Sequence, residues 1–198
     1  MLVKTYNEYI EEKLNIQPVT RERLFNTMTY NDGILGKVVK IGNAIWTAKN
    51  ITLTEKYKVR SKMILRASID YYTLGNNELK DNDLGMFYTY EAAKRIAPLG
   101  WHIPTMADVR FLRTACGDKL NEILSKEDGG NDTFGFNAKF SGYVESGRYI
   151  EDRFFAFWVQ GDDNAPYRLC GRETSDFIYI KAVPEYEHLA LSVRFVKD

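Results

Sequence analysis

The fold is decided by the stretch Lys37-Val38-Val39-Lys40-Ile41-Gly42-Asn43-Ala44-Ile45-Trp46-Thr47-Ala48. Two runs rich in β-branched and aromatic residues flank the Gly-Asn pair, and both residues of that pair tolerate the positive φ that a two-residue turn requires. The stretch therefore predicts a β-hairpin with strands at 37–41 and 44–48.

The rest of the chain supplies helices in the middle and strands at the end. Residues 90–97 have helical composition and stop before Pro98, and a helix at 106–116 follows Thr105, a predicted N-cap with Asp108 three residues later. Short apolar runs separated by turns predict strands at 63–67, 154–159, 167–170, 177–180 and 189–196. This order predicts an α+β domain of mostly antiparallel strands with two central helices, whose first and last strands pair.

A short amphipathic helix is predicted at the N-terminus, because Val3, Tyr6, Ile10 and Leu14 fall on one helical face. The breaker Asn31-Asp32-Gly33 divides the chain into an attachment segment, 1–32, and a main domain, 33–198. A helix of this length is unstable alone. The four apolar residues are therefore expected to contact another virion or surface protein or a second copy of the chain. The alternative is that the helix covers a sheet edge of its own domain.

Composition narrows the function classes. Lys plus Arg and Asp plus Glu both number 27, which argues against a protein whose partner is nucleic acid. Aromatic residues make up 14% of the chain and favour sheet. No apolar run has the length of a signal peptide or a membrane span, so the chain, taken as complete, is expected to be made in the cytoplasm and not to enter a membrane. Cys116 and Cys170 are expected to be buried, reduced thiols rather than a disulfide.

Six patches occur in an order that resembles the Fibrobacter succinogenes major paralogous domain, over roughly residues 37–198. They are Gly42-Asn43-Ala44-Ile45-Trp46-Thr47-Ala48 within 39–50, Gly85-Met86-Phe87-Tyr88 within 85–93, Pro98-Leu99-Gly100-Trp101-His102-Ile103-Pro104-Thr105, Phe134-Gly135-Phe136-Asn137-Ala138 with Ser141-Gly142-Tyr143, Ala156-Phe157-Trp158, and Leu191-Ser192-Val193-Arg194-Phe195 within 191–198. The resemblance implies a C-type-lectin-like fold, found in bacterial surface proteins and phage proteins. It also implies a set of structural signature residues, which are Trp46, Trp101, His102, Pro104 and Arg194.

Two positions depart from the family pattern. Members commonly carry a cysteine before the Pro-x-Gly-Trp-His segment and another after the Val-Arg of the last strand, and here these positions hold Ala97 and Phe195. A chain that folds in a reducing compartment tolerates the loss of such a pair. This favours a phage virion component over a secreted lectin.

The resemblance also places the ligand loops of a C-type-lectin-like domain after Trp158. A glycan or protein ligand is therefore predicted there, with ordinary strand-end residues as the alternative. The calcium-binding triplets of such lectins are absent, so a polar turn is favoured over a calcium site, and no metal or cofactor is predicted. The predicted ligand-binding residues are Trp158, Asp162, Asp163, Asn164, Tyr167 and Arg168.

Other reactive side chains are expected to serve structure. Asp128, Asn131 and Asp132 lack the spacing of a helix-loop-helix calcium site and predict a turn. His102 is expected to be a hydrogen-bonded structural histidine, and no order of Ser, His and Asp or of Cys and His suggests a catalytic set.

The leading hypothesis is a non-enzymatic module of a phage particle, in the capsid, a head fibre or the tail, which presents a lectin-like domain. It would contact other virion proteins through the N-terminal helix, form homo-oligomers, and bind a host glycan or protein. The second hypothesis is a bacterial cell-surface adhesin that binds glycans. The third is an enzyme distantly related to formylglycine-generating enzymes, which share the lectin-like fold.

Overall fold

The architecture is described from a computed structural model, which covers residues 29–32, 35–52, 71–72 and 84–198. Two predicted elements lie outside these ranges. They are the N-terminal helix with Val3, Tyr6, Ile10 and Leu14, and the strand near 63–67.

The described residues form thirteen strands, two α-helices and one short 3-10 turn. In chain order they are β1 (Thr29–Asp32), β2 (Gly36–Ile41), β3 (Ala44–Thr47), β4 (Tyr71–Tyr72), β5 (Phe87–Tyr88), α1 (Tyr90–Ile96), β6 (Trp101–His102), α2 (Met106–Cys116), the 3-10 turn (Leu120–Glu122), β7 (Tyr143–Glu145), β8 (Arg148–Ile150), β9 (Phe154–Gln160), β10 (Pro166–Arg172), β11 (Tyr179–Ala182), β12 (Leu189–Ala190) and β13 (Val196–Lys197). The mixed α+β composition with mostly antiparallel strands agrees with the prediction.

The largest sheet has the strand order β1-β2-β3-β13-β6 and is antiparallel throughout. The predicted hairpin is present, with Val39 opposite Trp46 and Gly42 at a φ of +61° in the turn. Val196 of β13 also pairs with Trp46, which confirms that the first and last parts of the domain are neighbours. The predicted boundary between residues 32 and 33 falls between the paired strands β1 and β2.

Both predicted helices are confirmed, as is the predicted N-cap Thr105. Thr89 accepts a hydrogen bond from the Ala92 amide at the start of α1. Thr105 and Asp108 form a reciprocal capping box at the start of α2, and Gly117 ends that helix in the left-handed conformation. Because these signals are local, they specify the helix ends without help from distant residues.

A second sheet has the order β11-β10-β9, and β9 is its most deeply buried strand. Six of its seven residues are buried, so both faces of the strand pack in the interior. Alternate side chains enter two clusters: a first core with Tyr90, Trp101 and Phe195, and a second core with Trp46, Val109 and Phe136. Their members from β9 are Phe154, Ala156 and Trp158 in the first core, and Phe155, Phe157 and Val159 in the second.

The prediction of one strand at 189–196 is wrong in its middle part. Regular pairing is confined to β12 and β13, and the residues between them bond to Tyr88 and to the segment 47–51. Leu191 exchanges hydrogen bonds with Tyr88, the Val193 carbonyl accepts from the Ile51 amide, and the Phe195 carbonyl accepts from the Thr47 amide. The strand predicted at 177–180 likewise starts later, at Tyr179.

Two glycines with left-handed backbone, Gly85 and Gly100, test whether close packing against Asn50 contributes to stability. We expect Gly85→Ala to lower the free energy of unfolding by about 2–5 kcal/mol, because a left-handed alanine costs about 1–2 kcal/mol and overpacking adds about 1–3 kcal/mol. A Cβ at Gly85, with a φ of +77°, would lie 2.5 Å from the Cβ of Asn50.

Gly100→Ala is the matched control, since Gly100 has a φ of +80° and nothing within 4 Å of an added Cβ. Its expected cost is the backbone penalty alone, about 1–2 kcal/mol. Urea unfolding of both variants measures the difference. Equal losses would show that the contact with Asn50 carries no constraint.

Candidate binding surface

Arg194 joins two segments of the interior, residues 47–50 and 136–137. Its side chain is 1% exposed. The guanidinium donates from Nε to Asn50 Oδ1 (2.8 Å) and from Nη1 to the carbonyls of Thr47 (2.9 Å) and Phe136 (2.8 Å). Nη2 donates to the Asn137 carbonyl at 2.9 Å. A buried cation is tolerated when its donors are satisfied in this way.

Aromatic rings cover the same guanidinium. Its central carbon lies 4.8 Å from the ring centre of Phe136 and 5.1 Å from that of Phe157. Burial lowers the pKa of Arg194 to about 9, and the nearby Asp132 opposes this shift, so the group stays protonated at neutral pH. The signature residue Arg194 is thus structural, as the resemblance implies.

His102 lies between two carboxylates at the edge of the large sheet. Its Nδ1 is 2.6 Å from Asp198 Oδ1, and its Nε2 is 3.0 Å from Asp108 Oδ2. Both partners accept hydrogen bonds, so both ring nitrogens carry protons in this arrangement. The hydrogen bond to Asp108 is the main cause that raises the pKa of His102; Asp198 adds to it and burial opposes it. The prediction of a hydrogen-bonded histidine is confirmed.

The remaining signature residues also serve the interior. Trp46 is 1% exposed and packs edge-to-face on Phe136 with ring centres 5.5 Å apart. Trp101 is buried under Lys197, whose Nζ lies 5.6 Å from the ring centre. The carbonyl of buried Pro104 accepts from the Gln160 amide, which ties the family signature to the end of β9.

The predicted ligand loop joins β9 to β10, and most of its polar groups are engaged within the turn. Asp163 Oδ1 accepts from the Ala165 amide at 3.0 Å, and Asn164 Oδ1 accepts from Gln160 Nε2 at 2.6 Å. The Asn164 carbonyl accepts from the Tyr90 hydroxyl at 3.0 Å. These bonds are those of an ordered turn.

The six predicted ligand residues do not share one surface. Asp162, Asp163 and Asn164 are exposed, and Tyr167 and Arg168 are half-buried. Trp158 is 0% exposed, and its Nε1 donates to the Tyr88 carbonyl at 2.6 Å. We therefore remove Trp158 from the ligand set, because it lies in the first core and no ligand at the surface can reach it.

A cationic face that the sequence reasoning missed lies beside Arg168. Within the β11-β10-β9 sheet, Arg168 stands directly opposite Lys181, and Arg172 follows on the same face of β10. Tyr179 lies between the two arginines on this face, opposite Cys170. The available signal was the alternation of basic residues along neighbouring strands, which becomes informative once the register is known. We call Arg168, Arg172 and Lys181 the basic face.

The second acidic cluster, Asp128, Asn131 and Asp132, is part of the loop framework. Asp128 Oδ2 accepts from Ser125 Oγ (2.9 Å) and from the Phe140 amide (3.2 Å). Asp132 Oδ1 accepts from the Asn137 amide at 2.7 Å. Across the described ranges, no group of three or more His, Cys, Asp or Glu side chains is placed to hold a metal ion.

A model of the family described as the Fibrobacter succinogenes major domain matches residues 39–197. The chain belongs to this family. The match contains all five signature residues, the whole second core and all buried residues of the first core except Val38. No curated protein and no solved structure matches the chain.

This member of the family also has a groove at the opposite end of the β9–β10 hairpin from the loop. Its volume is about 580 Å³, and its walls are the 3-10 turn and the segment after β10. Phe177, which is 57% exposed, stands at its edge. Asp128 and Glu173 line the groove and both pair with Arg153, at 3.7 and 2.8 Å.

No helix in the part of the chain covered by the structure is long and apolar enough to span a membrane.

The His102 network predicts a pH-dependent share of stability. The folded pKa of His102 lies above its ordinary value of 6.5, so this share is complete below about pH 6.5 and is lost as the pH rises through the folded pKa. We expect His102→Gln to lower the free energy of unfolding by about 1 kcal/mol at acidic pH, and by less at alkaline pH.

Urea unfolding at about pH 5.5 and about pH 9 measures this difference, with His188→Gln as control, because the side chain of His188 is exposed. At still lower pH the share disappears again. Although burial opposes it, hydrogen bonds from His102 and Thr105 lower the pKa of Asp108, and that contribution is lost as the pH falls through the lowered value. A pH-independent cost of His102→Gln would contradict the ion-pair assignment.

Calcium is expected not to stabilise the domain. A ligand raises the melting temperature when it binds the native state, and the oxygens of Asp163 and Asn164 already accept hydrogen bonds within the turn. Thermal unfolding in millimolar calcium and in chelator should therefore coincide. A rise of several degrees that Asp162→Asn abolishes would instead establish a calcium site in the loop.

Proposed function

We propose that the chain is a non-catalytic binding module with a C-type-lectin-like fold, and that it is an accessory protein of a phage particle. The binding role is supported by the burial and hydrogen bonding of the side chains that could otherwise act in catalysis. The thiols and the histidine of the family signature are engaged in internal packing and hydrogen bonding, whereas Arg172 and Lys181 of the basic face are exposed.

The two thiols are poorly suited to catalysis. Cys116 is 3% exposed and Cys170 is 0% exposed, and neither forms a disulfide. Burial raises the pKa of Cys116 to about 11 and that of Cys170 to about 12. A thiol acts as a nucleophile in its deprotonated form, so both are inert at neutral pH. This supports a binding role over the third hypothesis, an enzyme related to formylglycine-generating enzymes.

The particle assignment is supported by how the fold replaces the disulfide that is common in the family. Phe195 is 0% exposed in the first core, and Ala97 packs against the same cluster. Apolar residues of one cluster therefore occupy the two positions where many members have cysteines. Together with the two free thiols, this suits folding in a reducing compartment, where phage particles are assembled.

The N-terminal segment, 1–32, is proposed as the attachment element, through Val3, Tyr6, Ile10 and Leu14. It would join the module to other virion proteins or to further copies of itself. The domain would then present its surface to a host glycan or protein. The balance of 27 basic and 27 acidic residues does not favour nucleic acid as the partner.

Ile10→Asp in the full chain tests the attachment role. We expect self-association or incorporation into particles to fall by at least about tenfold, because a charge in the apolar stripe must be desolvated at the contact. The melting temperature should change by no more than a few degrees. Sedimentation velocity and thermal unfolding provide the two readouts.

Thr5→Asp is the matched control, since it places the same charge on the predicted polar side of the helix. If Ile10→Asp unfolds the domain, the helix belongs to the core and the attachment role is wrong.

Antibodies against the chain separate the two leading hypotheses. Signal on purified phage particles supports the virion protein, and signal confined to the bacterial envelope supports the adhesin.

A further inference from the structure

The basic face concentrates positive charge that the described residues neutralise only in part. Antiparallel pairing places the side chains of Arg168 and Lys181 directly opposite each other on one face of the sheet. Like charges in this position repel. Within the described ranges, neither side chain has a carboxylate partner, whereas Arg172 pairs with Asp152 at 3.1 Å.

Arg168 is held in place while one of its donors stays unmet. Its guanidinium lies 5.6 Å from the ring centre of Phe154, and that of Arg172 lies at the same distance from this ring. The Nε of Arg168 is buried without a hydrogen-bond acceptor. An unmet buried donor costs about 1–3 kcal/mol. Because this nitrogen is buried, an oxyanion from solvent would bind the terminal nitrogens of the guanidinium instead.

The neighbouring side chains complete a shallow site. Tyr179 is 38% exposed and lies on the same face, close enough to Arg168 and Arg172 for both cations to act on its pKa. Lys181 is exposed. Two arginines, a lysine and a phenol hydroxyl thus surround one patch, and each can donate a hydrogen bond to an oxyanion.

We propose that the basic face binds the carboxylate or sulfate groups of an acidic saccharide. This inference rests on the proposed binding role and specifies its ligand class. A nucleic acid fits less well, because bases need an open aromatic ring to stack on. Here the Phe154 ring is 3% exposed and lies under the two guanidinium groups. The arginine forks are suited to planar or tetrahedral oxyanions, which they bind through paired hydrogen bonds.

Calorimetric titration of the full chain tests the proposal with four probes. They are a uronic-acid oligosaccharide, a sulfated oligosaccharide, a neutral cello-oligosaccharide and a single-stranded oligothymidylate. We expect one or both acidic saccharides to bind, with an affinity that falls as salt is added, and the neutral saccharide not to bind. The two acidic probes distinguish carboxylate from sulfate as the recognised group.

Lys181→Gln should weaken this binding by about tenfold, because it removes one charge-assisted hydrogen bond. Lys181 is exposed and has no described packing role, so the variant should fold. The control is Lys126→Gln, which removes an exposed charge from the loop at 125–130 and should leave the affinity within about twofold. Arg168→Lys keeps the charge but loses the fork, and should also weaken binding.

Three results would overturn the proposal: no binding of either acidic saccharide, equal affinity of Lys181→Gln and wild type, or tighter binding of the oligothymidylate. The proposed function would survive each of these if the chain is still found on particles or on the cell surface. Conversely, an acidic saccharide that binds through Lys181 would support the inference even if the chain is absent from both locations.

Discussion

The structure depends on satisfying one buried cation. The Arg194 guanidinium is enclosed, so its donors must find acceptors inside the protein, and they find them on two segments far apart in the chain, residues 47–50 and 136–137. Asn50 extends this hydrogen-bond network, because its Nδ2 donates to the Leu84 carbonyl (2.7 Å) and to Ser192 Oγ (3.3 Å). Ser192 Oγ in turn lies 3.0 Å from Ser141 Oγ. This network explains why residues 191–195 leave regular strand geometry: their backbone serves several neighbouring segments at once.

The second constraint is the two-faced burial of β9. A strand with solvent on one face needs a single core, whereas Phe154–Gln160 separates two. Exposure increases across this sheet: β9 is buried, β10 is buried at Leu169–Gly171 and partly exposed elsewhere, and β11 is mostly exposed. Arg168 lies at that transition. Its stem and guanidinium rest on an apolar ring, and its charge remains near solvent.

Local signals in the sequence were sufficient for part of this picture. The Gly42-Asn43 turn, the Thr105 cap and the stop before Pro98 act over a few residues, and the structure has these elements at the predicted positions. Strands β7 and β8 were not predicted, because each has three residues and their pairing depends on the Ser146-Gly147 turn, where both residues have positive φ. The contiguous apolar run of β9 does not show which side chains face which core, so the sequence could not separate Trp158 from the exposed loop. The basic face required the strand register, which no local pattern specifies.

The position of β13 between β3 and β6 has a consequence for biosynthesis. Arg194 and its acceptor on Thr47 are 147 positions apart, and sheets closed by such distant segments fold slowly because a large loop must be ordered first. At about 5–20 residues per second, a ribosome needs roughly 10–30 s to make the intervening chain. During that interval the β2–β3 hairpin has its edge unpaired and the two cores are incomplete. Until the last strand has been made, a nascent chain of this architecture therefore exposes apolar side chains and a strand edge that favour aggregation.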